Sequence, residues 1–70
     1  MYRYAIHTRS SENEMLREIA HVDGYYNAID IAYAISNHLN EVAVTDNETG
    51  VILLDIENGI ETIVDSLMVV

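Results

Sequence analysis

The sequence predicts an α+β fold: a three- or four-stranded antiparallel sheet with two helices packed on one face, in the order β-α-α-β-β-β. Three observations lead there. Residues 2–8 alternate with the period of a strand, residues 11–40 repeat their apolar positions at helical spacing, and from residue 41 the period returns to two. The 70 residues fall short of a typical domain of roughly 100–150, so the chain reads as a single domain over 1–70.

Each element has a local reason. In residues 2–8, Tyr2, Tyr4 and Ile6 fall on one side and Arg3, Ala5 and His7 on the other, as in a half-buried strand. Ser11 and Glu14 have the spacing of a capping box, and the helix they would open groups Met15, Leu16, Ile19 and Val22 on one face before Asp23-Gly24 stops it. A second helix is expected from near Asn27 to Asn40, with Ala28, Ile31, Ala32, Ile35 and Leu39 in one stripe and Ile29 and Tyr33 beside it. Beyond residue 41, a turn over Asp46–Gly50 pairs Val44 with Ile52 and Val42 with Leu54. A three-residue Glu57-Asn58-Gly59 loop then pairs Ile56 with Ile60. Residues 60–70 fit a strand through their β-branched residues and a helix through Ile60, Ile63, Val64 and Leu67.

The core face of that sheet holds Val42, Val44, Ile52, Leu54, Ile56, Ile60 and Val64. The opposite face carries Ala43, Val51, Leu53 and Ile63, rimmed by Glu41, Asp55, Glu61 and Asp65. An apolar patch rimmed by charge has the layout of an interaction surface. Val51, Leu53, Ile63 and the helix residue Tyr33 are the expected dimer interface.

Composition narrows the function. Twelve acids stand against three arginines and no lysine, for a net charge of −9 and an isoelectric point near 4.3. Half the residues are apolar, unlike a disordered acidic tail. Cysteine is absent, which removes disulfides, thiolate metal sites and a cysteine nucleophile. No apolar run approaches the ~18 residues of a membrane span and residues 1–14 do not resemble a signal peptide, so a cytoplasmic protein without membrane contact is expected. A domain below about 70–80 residues usually needs a disulfide, a metal or oligomerisation, and of these a homodimer fits best.

Catalytic and metal chemistry find little support. His7, His21 and His38 share no chelating spacing, and His21 lies in a charged stretch beside Arg17 and Glu18. Asp46 to Glu57 has the length of a calcium loop, but Gly50 and Val51 stand where a ligand and the turn glycine belong. Neither a nucleophile elbow nor a phosphate-binding glycine loop is present. The chain is expected not to be an enzyme and to take no cofactor and no metal. Its five tyrosines do not make it a nucleic-acid binder, because its charge repels phosphates.

The charge itself is unevenly placed. Residues 1–17 hold all three arginines and sum to +1, whereas residues 18–70 hold ten acids and no arginine or lysine. Glu41, Asp46, Glu48, Asp55, Glu57, Glu61 and Asp65 recur singly among apolar residues, which fixes carboxylates on a folded frame. Duplex DNA carries one negative charge per ~1.7 Å of axis, so ten carboxylates match about half a helical turn and a dimer about a whole one. In size, acidity, lack of lysine and lack of catalytic motif, the chain resembles the small DNA-mimic proteins with which bacteriophages disable host factors, a class without a common fold. The resemblance implies a basic DNA-binding host protein as partner, for example the histone-like nucleoid protein HU, with the seven acids just named as the contact set. The alternative is a small α+β interaction module of antitoxin or adaptor type, without mimicry.

Overall fold

Alternation over Tyr4–Arg9 does form a strand, β1, with Tyr4 and Ile6 turned to the core. It opens the computed structural model, which describes residues 3–63. There follow β2 (Arg17–Val22), the helix α1 (Tyr25–Ser36), β3 (Glu41–Asp46), β4 (Ile52–Glu57) and β5 (Ile60–Ile63). The strands make one sheet in the order β2-β1-β3-β4-β5, with every neighbouring pair antiparallel. Since β2 and β3 flank β1 and each runs against it, β2-α1-β3 is a split β-α-β unit with β1 inserted between its strands.

The helix covers one face. Ala28 and Ala32, both fully buried, sit in one cluster with Tyr4, Ile6, Val42, Val44, Leu53, Leu54 and Ile56. Their small side chains let the helix axis approach the sheet, and full burial of Ile6, Val42, Val44 and Leu54 contributes about 1.5–3 kcal/mol each. On this side Val42 pairs with Ile56 and Val44 with Leu54, apolar against apolar.

Three sequence expectations are overturned. The fold has one helix and a five-stranded, mostly β architecture, in place of two helices on a three- or four-stranded sheet. The expected first helix is instead β2, which pairs with β1 and turns Ala20 and Val22 toward the core while leaving Met15, Leu16 and Ile19 exposed. Without β2, the apolar strand β1 would end the sheet with a row of unpaired backbone groups, and strand pairing outweighs the helical spacing of those few apolar residues. The capping-box chemistry survives inside a loop: Glu14 Oε1 accepts from the backbone N–H of Ser10 at 2.9 Å and of Ser11 at 3.2 Å, but no helix follows.

The second expected helix exists but begins at Tyr25 and ends at Ser36, with Gly24 as its N-cap. Asn40 lies beyond it, where its backbone N–H extends the β1–β3 ladder to Arg9 O at 3.0 Å and its side chain donates to Asn58 Oδ1 at 2.8 Å.

Register is the third correction. A bulge at Leu53 shifts β4, so Val42 meets Ile56 and Val44 meets Leu54 rather than Leu54 and Ile52. The β4–β5 connection is a two-residue Asn58-Gly59 turn with φ of 54° and 79°, and it pairs Ile56 with Glu61 rather than with Ile60. Asn-Gly takes positive φ at both positions, the conformation that matches strand twist. The cost in patterning is visible in Ile60, which is 73% exposed. Residues 60–63 are strand, while Val64 and Asp65 lie outside the described residues. Among the described residues, no helix is long and apolar enough to cross a membrane.

The close approach of α1 to the sheet gives a direct check. Ala32→Leu is expected to lower stability by about 1–3 kcal/mol through overpacking, measured by urea denaturation, with circular dichroism still showing a single short helix.

Candidate functional site

Strand alternation places a second set of side chains on the face opposite α1, where no described helix or strand packs. Backbone pairing arranges them in three cross-strand rows. One runs His21–Ala5–Thr45–Ile52, the next Glu18–His7–Ala43–Asp55–Thr62, and the last Arg9–Glu41–Glu57–Ile60. Ala5 and Ala43 form the buried floor, and the longer polar side chains stand around them.

The last row is an ion network. Arg9 Nη2 lies 3.1 Å from Glu41 Oε1 on the adjacent strand and reaches past it to Glu57 Oε2 on β4 at 2.6 Å. Glu41 is only 8% exposed and also faces the Asp55 carboxylate. That hydrogen bond to Asp55, together with burial, raises the Glu41 pKa to about 7, against the smaller downward pull of Arg9. Near neutral pH Glu41 therefore carries a proton part of the time. Asp55 Oδ1 and Arg9 Nε remain buried without a hydrogen-bond partner, so the network is short of donors and acceptors at both ends. Elsewhere on the face His7 Nε2 meets Thr45 Oγ1 at 3.1 Å, and Glu18 pairs with His21.

Glu41, Asp55 and Glu57 each bring a carboxylate oxygen within 4.8 Å of the others, the donor chemistry of a hard divalent cation. The Arg9 guanidinium already stands against two of the three, so the chain supplies its own cation there.

The seven acids expected to act together divide among separate places. Glu41, Asp55 and Glu57 share the uncovered face. Asp46 and Glu48 sit at the other end of the sheet with Arg3, whose Nη2 donates to Asp46 Oδ2 at 2.9 Å and whose Nε lies 3.5 Å from Glu48. The hydrogen bond from Arg3 holds Asp46 below the usual carboxylate range. Glu61 projects on the helix side, where it accepts from the Tyr33 hydroxyl and raises the tyrosine pKa. Asp65 lies outside the described residues.

The apolar middle expected for the uncovered face is divided too. Ala43 lies on it, but Leu53 is buried in the helix-side core and Val51 packs against that core. Tyr33 stands on α1, and Ile63 is described only by its backbone pairing with Leu54. Sequence reasoning gave no place on this face to Arg9 or Thr45, and it weighed His7 only as a metal ligand. Their roles depend on the β1–β3 register, a pairing of segments more than thirty positions apart that no local pattern encodes.

The proton on Glu41 carries a pH signature. A carboxyl whose pKa is raised on folding contributes stability fully below its unfolded value of 4.5, and that contribution is lost as pH rises through about 7. Asp46, with a depressed pKa, acts oppositely and only in the acid range below its unfolded 3.8. Urea denaturation is thus expected to show higher stability at pH 5 than at pH 8. Glu41→Gln, which keeps a donor toward Asp55, is expected to flatten that slope and add about 1–3 kcal/mol at pH 8. No protein-family model, curated protein or solved structure matches the chain, which leaves the arrangement of its side chains as the ground for a functional reading.

Proposed function

We propose that this chain is a non-catalytic anionic binding module that docks its uncovered sheet face on a basic protein surface of the kind that binds nucleic acid. The observation that carries the reading is the charge on that face. Its arginine, Arg9, is held by Glu41 and Glu57, while Glu18, Asp55 and Glu57 present carboxylates on a rigid strand frame.

Spacing supports a mimic of polynucleotide charge, carried by a smaller set of acids than the sequence suggests. Glu18 and Asp55 occupy one row, three strand spacings apart. That is about 14 Å, on the scale of the ~12 Å groove between two DNA phosphate strands. Polar exchange at such a face gains affinity through long-range attraction, so binding weakens with salt. A partner of this type places the chain in the cytoplasm of the cell that holds it. An adaptor reading draws instead on exposed apolar residues such as Tyr26, 79% exposed, and would bind with little salt dependence.

The test is resolved by face. Purified HU serves as the basic partner, titrated with the wild type, with a triple variant Glu18→Gln, Asp55→Asn, Glu57→Gln, and with a helix-side pair Asp30→Asn, Glu61→Gln. Binding that competes with duplex DNA, falls steeply with salt, and drops more than about tenfold only for the triple variant is the expected result. Salt-insensitive binding, or a loss confined to the helix-side pair, would contradict the reading.

A further inference from the structure

We infer that β2 is a self-association edge, where two copies pair β2 against β2 in antiparallel fashion and extend the sheet across a twofold axis. The occupant is a second copy of this chain, at a surface other than the anionic face.

Several observations converge on β2. It ends the sheet, so one side of its backbone has no strand partner among the described residues. Proteins commonly guard such an edge with Lys or Pro, and this chain contains neither. A shallow cavity of about 300 Å³ is lined by Glu18, Ile19, Ala20 and His21 of this strand. Ile19, set at the bulge without an opposite residue on β1, is 54% exposed, and Met15 and Leu16 continue the apolar surface just before it.

Charge selects the occupant. At −9 per chain, two copies repel almost wherever they meet. Along residues 15–22 that repulsion is small, since Arg17 offsets Glu18 and His21 adds no negative charge. Arg17 also has no ion-pair partner among the described residues. Antiparallel pairing carries the Arg17 end of each strand to the Val22–Asp23 end of the other, so each unpaired cation approaches a carboxylate. At the opposite edge β5 carries Glu61, opposite Ile56 of β4, and neither β4 nor β5 holds a cation to offset the acids of a second copy, which resists the same association.

Sedimentation velocity at micromolar concentration tests this on the intact chain. The wild type is expected to be a dimer, Ile19→Lys to weaken association by more than about tenfold with an unchanged circular dichroism spectrum, and Ile60→Lys on the far side to leave it intact. A monomeric wild type, or a dimer that survives Ile19→Lys and is lost with Ile60→Lys, would overturn the inference.

Discussion

One guanidinium reaching across two strands organises the uncovered face of this protein. Arg9 on β1 contacts Glu41 on β3 and Glu57 on β4, and with Asp55 beside Glu41 it faces three carboxylates with a single positive charge. The imbalance follows from composition, since three arginines cannot neutralise twelve acids. A buried carboxylate without enough cation has two outlets: it takes a proton, or it forces its neighbours toward solvent. Glu41 takes the first and the exposed Glu57 takes the second, while Asp55 keeps one oxygen buried without a partner. At the other end of the sheet the balance is better, because Arg3 binds Asp46 with two nitrogens and holds it ionised.

That constraint links the fold to the functional reading. The helix buries the apolar face through Ala28 and Ala32, which commits the remaining face to residues that must tolerate water. With Arg3 and Arg9 tied to acids and Arg17 the one arginine left over, the outward field is negative. A surface of this kind attracts cationic partners at long range and repels nucleic acid and other copies of itself. The self-association we infer around Arg17 lies at the sheet edge and leaves Asp55 and Glu57 of each copy on the open face.

Some of this was legible in the sequence. Strand alternation in β1 and β3, the single surviving helix around Ala28 and Ala32, and a turn after β4, though with a loop one residue shorter than expected, follow from local residue patterns. The segment Arg17–Val22 misled because Met15, Leu16, Ile19 and Val22 fit a helical stripe, while the deciding factor was the need of β1 for a second neighbour. Registers misled for a similar reason: the bulge at Leu53 and the tolerated exposure of Ile60 are settled by tertiary packing. The acids were visible as a series, but their grouping was not, since Arg9 meets Glu41 only through long-range pairing of β1 with β3. A series along the chain became two clusters and a lone Glu61 in space among the described residues.

Direct observation of the Glu41 carboxyl by carbon-13 NMR across a pH titration addresses the underlying electrostatics most closely. The hydrogen bond to Asp55 together with burial predicts a midpoint near 7 for Glu41, moving further upward when Arg9→Met removes the one cation in contact. A midpoint at the ordinary 4.5, unmoved by that substitution, would show that Glu41 is neither desolvated nor coupled to its neighbours, and the account of the face would fail.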